Sequence, residues 1–426
     1  MRRFGFLFGI AALLYTVWYV SVEAYVSARV EERLESIRQR GEPTSVAELI
    51  HPPVDANDDM GPAYRLALEV WDTAEAALDE VVSLDRIELR DGSLVERLYG
   101  GKLPRPFQSQ RLKAWLKKQV KLNQCLDDMR DRKGCRSTLD LSEGPATLMP
   151  HLSPSRSLAK FLLLDATIQG LDGNFVKMTD RLLVAYRLGR CVLSDRYTAI
   201  SMMVALSIER LVHERLEQLL AAVDIPQKQL KRIEREIKSK PGLDEMYRQV
   251  LIGERALSGM FIFSTLLDGG ESSLNEEGVR AEVSAVRGWT RIRLMKEYCV
   301  YLDLLEQAIQ NPRDASDYLN LSESPVTAML SPSFGAMSGL VDRAITRRRM
   351  VRIALALERH RHEHHEYPKS LNPLLSFDGE KLNLTDRISD RPIQYQRDPK
   401  GYRLKVDPKS ISDPGERTRF EIRVIR

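Results

Sequence analysis

Cysteine is scarce in this 426-residue chain, and neither sign of charge is in strong excess. The four cysteines are Cys125, Cys135, Cys191 and Cys299. None of them forms a C-x-x-C pair, which argues against a zinc ribbon or a thioredoxin-like site, and four are too few for a disulfide scaffold of this length. Lys and Arg number 64, against 60 Asp and Glu. A net charge of +4 gives no basic surface of the kind that binds nucleic acid, so no nucleic-acid partner is predicted.

Motifs for nucleotide binding and for hydrolysis are also absent. The sequence has no G-x-x-x-x-G-K-[ST] loop and no G-x-G-x-x-G run, so nothing in it indicates a nucleotide. His151, Ser153 and Ser155 lie close together, but no G-x-S-x-G elbow accompanies them and His151 has no identifiable acidic partner. We therefore predict no catalytic residue and no cofactor, and we favour a non-catalytic protein over an enzyme.

Two of the cysteines, Cys125 and Cys135, are close in sequence. Their ten-residue separation permits a disulfide if this part of the chain lies outside the cytoplasm, but it does not require one. The alternative is that all four cysteines are small, buried apolar side chains.

One long apolar run stands near the N-terminus. Residues 4–22 read FGFLFGIAALLYTVWYVSV and contain no charge. As a helix rising about 1.5 Å per residue, they would span about 28 Å, close to the ~30 Å hydrocarbon core of a bilayer. The alternative is a cleaved signal peptide, for which Val26-Ser27-Ala28 offers small residues. We favour an anchor, because the run is longer than the 7–15 apolar residues typical of a signal peptide.

The residues that flank this run predict its orientation. Arg2 and Arg3 precede it, and Trp18, Tyr19 and Tyr25 cluster at its far end. Positive charge favours the cytoplasmic side, and aromatic rings favour the membrane interface. We therefore predict a single-pass protein of the bacterial cell membrane, with a cytoplasmic tail at 1–3, a lipid-embedded anchor at 4–22 and an extracytoplasmic body.

Helical periodicity dominates the body. Leu158 to Leu193, with GLDGN at its centre, indicates a helical hairpin of the tetratricopeptide type. No repeat period is sustained, so a plain helical bundle is favoured over a repeat array. The predicted divisions are a juxtamembrane helix and linker at 23–62, a helical domain at 63–312, a linker at 313–338 and a C-terminal module at 339–426.

The C-terminal module is predicted to be a long helix followed by a three-stranded antiparallel sheet. The helix should end within two residues of Tyr367, because Pro368 cannot continue it. Apolar and polar residues alternate near 392–397, 402–407 and 418–425, and the turn from Asp398 to Gly401 should join the first two strands.

Two stretches of this module, ALALERHRHEHHEYPKSLNPLL and RPIQYQRDPKGYRLKV, resemble the helix–YP–loop–sheet module of type II secretion pseudopilin-like families. The residues that carry the resemblance are Tyr367, Pro368, Ser370, Leu371, Gly401, Tyr402 and Leu404. A pseudopilin begins with its apolar helix, whereas this helix is internal and carries Arg347, Arg348 and Arg349. The resemblance therefore implies the helix-plus-sheet fold but no role as a pilus subunit.

Most of the chain also resembles a group of uncharacterised bacterial membrane-anchored proteins. The segments that carry this second resemblance are RGEPTSVAELIHPPVDANDDMGPAYRLA and CRSTLDLSEGPATLMPHLSPSRSLAKFLLLDA, followed by the terminal module. It implies the anchored architecture and no activity.

Four of the seven histidines lie between positions 360 and 365. His360 and His364 are four residues apart, a helical spacing that can bind zinc, but the H-E-x-x-H order is missing. A solvated helix end is the favoured interpretation, because histidine near a helix C-terminus complements the helix dipole. Asp58 and Asp59 could hold a cation, although they more simply cap the next helix.

Three functions remain open from the sequence. The leading hypothesis is a non-catalytic, membrane-tethered module that binds a protein or peptide partner on its helical domain. The first alternative is a metal-dependent enzyme that uses the histidines at 360–365. The second alternative is an accessory component of secretion or envelope assembly.

Overall fold

The computed structural model describes residues 2–49, 53–84, 110–195, 197–239, 242–267, 290–320, 332–407 and 421–425. Helices form most of this part of the chain and a small sheet ends it, which confirms the predicted fold class. The helices are α1 (Arg2–Gln39), α2 (Gly61–Leu84), α3 (Gln110–Lys118), α4 (Val120–Arg130), α5 (Leu152–Leu171), α6 (Phe175–Val192), α7 (Ala199–Ala222), α8 (Gln227–Lys238), α9 (Leu243–Glu254), α10 (Phe261–Leu267), α11 (Arg291–Gln310), α12 (Ala315–Asn320) and α13 (Pro332–His364), with a π-helical turn at Arg255–Met260 between α9 and α10.

The N-terminal apolar run belongs to a single helix of 38 residues, α1. Most large apolar side chains between Ile10 and Tyr25 are exposed, Tyr19 and Val22 are partly buried, and Val26, Val30 and Ile37 are buried against the body. The helix ends where Gly41 takes a φ of 71°, a left-handed conformation that glycine adopts without strain. The predicted juxtamembrane helix is therefore continuous with the apolar run and ends just before Gly41.

The centre of the bundle is the predicted helical hairpin. α5 and α6 pack side by side, joined by a turn in which Gly173 has a φ of 78°, and α7 packs against both helices. Inside the hairpin, Arg181 donates to Asp165 at 2.7 Å, with both side chains almost fully buried. Each charge removed from water is thereby paired.

Two predictions from the sequence pattern are wrong. The amphipathic pattern of 111–130 predicts one helix, but that helix is broken at Gln119, where side-chain amides of Gln119 and Asn123 donate to the carbonyls of Trp115 and Leu116. The prolines at 312, 325 and 332 predict a loop over 311–335, but this stretch, like much of the predicted 313–338 linker, contains α12 and the start of α13. Pro332 begins α13 rather than breaking a helix, because a proline is well tolerated in the first helical turn.

α13 is shared between the bundle and the sheet. It packs against α7, α8, α9 and α12, and residues 353–357 are buried on every side. A stretch of helix that is apolar on every face lies inside a protein rather than on its surface. Whether 339–426 folds alone as a separate module therefore stays a prediction.

The C-terminal sheet has the predicted antiparallel order β1-β2-β3, with strands Gln394–Asp398, Gly401–Lys405 and Glu421–Ile425. Asp398 pairs with Gly401 across the predicted turn. α13 ends at His364, one residue earlier than the predicted limit around Tyr367, because His365 adopts a positive φ of 60°. The first residues of the third predicted strand, 418–420, lie outside the described residues.

Candidate functional site

The predicted histidine pair lies at the end of α13. The rings of His360 and His364 are neighbours, with centroids 4.2 Å apart. Partial burial and the adjacent His364 lower the pKa of His360. Within the described parts of the chain, no group of three or more His, Cys, Asp and Glu side chains is placed to hold a metal ion. The two rings alone provide fewer ligands than the three or four that a zinc site uses.

Asp58 and Asp59 organise the start of α2. The Asp59 carboxylate accepts hydrogen bonds from the backbone N–H of Gly61 at 2.8 Å and of Arg136 at 2.9 Å. The Asp58 carboxylate accepts one from the N–H of Lys133 at 2.8 Å. The capping interpretation therefore holds for Asp59, and both carboxylates fasten the segment after α4 to the beginning of α2.

Ser155 and His151 do not form a nucleophile–base pair. The Ser155 hydroxyl donates to the backbone carbonyl of His151 at 2.5 Å and lies 2.6 Å from the Tyr64 hydroxyl. The hydroxyl thus bonds to the backbone of His151 and not to its ring, and burial lowers the pKa of that ring. These contacts describe a hydrogen-bonded helix start rather than an activated serine.

Two of the four cysteines, Cys125 and Cys191, are buried, and Cys135 and Cys299 are partly buried. None of the four forms a disulfide, and the Cys191 thiol, on α6, lies beside the Cys135 thiol. Burial, and secondly the neighbouring Cys135, raise the pKa of the Cys191 thiol. Cys125 is buried within α4. The structure thus pairs Cys135 with a cysteine 56 positions away in the chain rather than with its sequence neighbour.

Oxidised glutathione should therefore join Cys135 to Cys191 in the folded protein. The more accessible Cys135 thiol displaces one glutathione, and the Cys191 thiol then displaces the second, so each bond formed releases two reduced glutathiones. Peptide mapping by mass spectrometry under non-reducing conditions should find the 135–191 cross-link in the Cys125→Ser variant and lose it in Cys191→Ser. A peptide that joins 125 to 135 would contradict this arrangement.

A cavity that sequence reasoning missed lies between α7 and α13 and has a volume of about 300 Å³. Its residues recur every three or four positions on each helix, so one face of each helix lines it. The lining residues are Met203, Leu206, Ser207, Glu209, Arg210, His213 and Glu214 from α7, and Leu340, Arg343, Ala344 and Arg347 from α13. Charged groups on facing helices therefore converge on one apolar-walled space.

Ion pairs hold the two walls of the cavity together. Glu209 accepts two hydrogen bonds from Arg348, at 2.5 and 2.9 Å, and Arg347 pairs with Glu217. The Glu209 carboxylate also lies 3.8 Å from the His213 ring, which stands edge-on to Tyr186 with ring centroids 5.6 Å apart. The bidentate Arg–carboxylate geometry fixes both position and orientation. The charged wall is therefore ordered before any ligand arrives.

Burial raises the pKa of two groups beside the cavity, Glu217 and Tyr186. It raises the pKa of Glu217, and the opposing effect of Arg347 is smaller. Burial and the nearby Glu209 raise the pKa of the Tyr186 hydroxyl well above its usual value. Among the described residues that line the cavity, Ser207 is the one with a hydroxyl group. Polar and charged side chains therefore line the cavity beside its apolar walls.

Tyr367, Tyr402 and Leu404 of the terminal module have structural roles. The Tyr367 ring stands edge-on to the Tyr402 ring with centroids 5.1 Å apart, and its hydroxyl donates to buried Glu358 at 2.9 Å. Leu404 is fully buried beneath the sheet. These residues form the joint between α13 and the sheet.

The chain matches no family model, no curated protein and no solved structure. The proposal of a function therefore rests on the geometry of the molecule itself.

Proposed function

We propose that the protein is a single-pass membrane protein of the bacterial cell membrane, with its body outside the cytoplasm, and that it binds a protein or peptide partner rather than catalysing a reaction. The observation that carries the proposal is the exposure of apolar side chains on α1. Most of its large apolar side chains from Ile10 to Val20 are exposed, and its second half is built into the folded body without a break in the helix. An exposed apolar surface of this length is stable in lipid and unstable in water.

The join between anchor and body is reinforced by charge. Arg33 of α1 donates to both carboxylate oxygens of Asp303 on α11, at 2.7 and 2.6 Å, and Arg40 pairs with Glu306 at 2.6 Å. Glu23, directly after the apolar run, pairs with Arg291 at 3.2 Å. The body therefore begins where the predicted membrane segment ends.

A second apolar segment supports a single pass rather than two. Within 227–267, 67% of the apolar window is buried inside the protein, against 6% for the window in α1. Apolar helices buried in a core need no lipid to cover them. We therefore assign this segment to the interior of the body.

The partner-binding part of the proposal rests on the cavity between α7 and α13. About 300 Å³ is at the small end of the range for ligand sites and suits one or two inserted side chains. Arg210 and Glu214 lie at its exposed side, 3.8 Å apart, with about half and about a third of their side-chain surface accessible. A partner side chain would meet an apolar interior and a charged rim.

The two alternatives have less support. A metal-dependent enzyme would have to build its site on His360 and His364 without a third described ligand nearby. An accessory role in secretion or envelope assembly rests on the pseudopilin-like resemblance of the terminal module.

Topology is tested with a fusion of alkaline phosphatase after Arg426, which we expect to be active in intact cells, because that enzyme folds outside the cytoplasm. The protein should also stay in the membrane pellet at alkaline pH and keep residues 4–22. A fluorescent cytoplasmic reporter at the same position, or a mature protein that begins near Arg29, would contradict the anchored topology.

Partner binding is tested by placing a photo-crosslinking amino acid at Arg210 in the full chain within native membranes. We expect an adduct that is lost when Ala344→Trp fills the cavity and retained when Val300→Trp alters an exposed site on α11. An adduct that survives Ala344→Trp, or no adduct at all, would remove the cavity from the proposal.

A further inference from the structure

A second and larger opening lies beside the anchor helix. It has a volume of about 780 Å³ and forms where α1, the turn at 46–48, the segment 139–142 and α10 meet. Val30 and Leu34 of α1 form one wall, and Leu141, Phe261 and Leu267 are among the apolar residues that face them. The size is within the range of sites that take drug-sized or lipid-sized ligands.

An apolar stripe on α1 connects this groove with the membrane segment. Tyr19, Val22, Val26, Val30 and Leu34 follow one another every three or four residues, and all of them pack on the hydrophobic core. They therefore share the face of the helix that looks toward the body. Val30 lies eight residues beyond Val22, about 12 Å along the helix, so the groove begins just above the headgroup layer of the bilayer.

A cation stands at the membrane end of the groove. Arg291 lines the groove, donates to the carbonyl of Leu267 at 2.6 Å and pairs with Glu23 at 3.2 Å. Half of its side chain is exposed. A guanidinium group carries five N–H donors and is well suited to bind phosphate. Arg291 contacts Glu23, the first residue after the apolar run, so it lies near the proposed membrane surface.

The opposite wall has an unusual backbone. Met260, which lines the groove, closes the π-helical turn at Arg255–Met260. π-Helical turns are rare and occur frequently at functional sites, because the inserted residue redirects the side chains around it. Here the turn lies directly before α10, which presents Phe261, Ser264 and Leu267 to the groove.

We propose that this groove holds one acyl chain of a membrane phospholipid, with the lipid phosphate at Arg291. The inference rests on the proposed anchorage, because only an anchored α1 holds the groove at the bilayer surface. The apolar lining of the groove suits an acyl chain. The half-exposed guanidinium group at the membrane end can bind a phosphate oxygen beside its ion pair with Glu23. A phospholipid provides both features in one molecule.

The test uses the full chain in vesicles of phosphatidylethanolamine and phosphatidylglycerol that contain a phospholipid with a photoreactive group in its acyl chain. After irradiation, labelled peptides should include 139–142 or 260–267 as well as the anchor at 4–22. Ala47→Trp and Ser264→Trp each place a large ring in the groove from an exposed position, and Ser36→Trp places one on an exposed face of α1 outside it.

We expect groove labelling to fall by about tenfold in the two groove variants, because losing contact with even two methylene groups lowers a binding constant by that factor. Anchor labelling should stay unchanged in all variants, and Ser36→Trp should match the natural chain. Labelling confined to 4–22, or groove labelling that both tryptophans leave intact, would overturn the lipid site and leave the anchorage standing. Loss of labelling at 4–22 would overturn the anchorage itself and the lipid site with it.

Discussion

The Arg255→Met variant should unfold with a free energy about 3–5 kcal/mol lower than that of the natural chain, because one partner of a buried ion pair is removed. Arg255 has no exposed surface, donates to Glu42 at 2.8 Å and lies 3.7 Å from Glu306. Glu42 is only 11% exposed. Without Arg255, the Glu42 carboxylate remains buried and charged but loses the guanidinium group that stabilises it most. Urea unfolding of the full chain in mild detergent measures the change.

Arg248 provides the matched control for this substitution. It approaches Glu42 at 3.6 Å, but 39% of its side chain is exposed to water. Arg248→Met should therefore change the free energy of unfolding by less than about 1 kcal/mol, as for other exposed ion pairs. Equal losses in the two variants would show that burial does not determine the strength of these contacts.

The same pair should make stability depend on pH. Burial alone would raise the pKa of Glu42, but hydrogen bonds from Arg255 and Arg40 outweigh it and hold the pKa below its usual value of 4.5. A carboxyl group with a depressed folded pKa stabilises the fold above its unfolded pKa, and that stabilisation is lost as pH falls through the folded value. The natural chain should lose stability below about pH 4.5, and Arg255→Met should lose less over the same window.

Gly401→Ala should lower the free energy of unfolding by about 1–3 kcal/mol, because it overpacks a site that is closed by backbone. A β-carbon at this position would lie 1.8 Å from the carbonyl oxygen of Val424. β2 can make room only by moving away from β3, where Gly401 is paired with Ile425. Hydrogen exchange should therefore become faster in 401–405 and 421–425 first.

Gly242→Ala is the control for the glycine substitution, because no heavy atom lies within 4 Å of a β-carbon there. It should change stability by no more than about 0.5 kcal/mol. Unchanged exchange in the sheet of Gly401→Ala would mean that β3 is not held against β2 in solution.

Much of the fold could be predicted because its signals are local. The hairpin around Gly173, the stop at Gly41 and the turn from Asp398 to Gly401 each depend on a few neighbouring residues. One error arises from a proline, because Pro332 ends a helical pattern in the sequence but occupies the first turn of α13, where proline is well tolerated. The other arises at Gln119, where side-chain amides compete for backbone carbonyls that a continuous helix would use.

The cavity could not be predicted, because its two walls are more than 120 residues apart in the chain. Glu209 and His213 are visible as an i, i+4 pair, but nothing local indicates that Arg348 faces them. One signal was present. The arginines 347–349 interrupt an apolar helix face, and charged residues at core positions usually have buried partners. The sequence shows that such a partner is needed but not which residue provides it.

The continuity of α1 also has a mechanical consequence. A helix of 38 residues is about 57 Å long, and no hinge separates its apolar N-terminal part from the part packed on the body. Transmembrane helices change their tilt when the thickness of the bilayer changes. In the proposed anchorage, Arg33 of α1 and the adjoining Arg40 hold the helix to α11, so a change in the tilt of α1 would turn the body by the same angle. The direction in which the cavity faces along the membrane would then vary with the thickness of the lipid around the anchor.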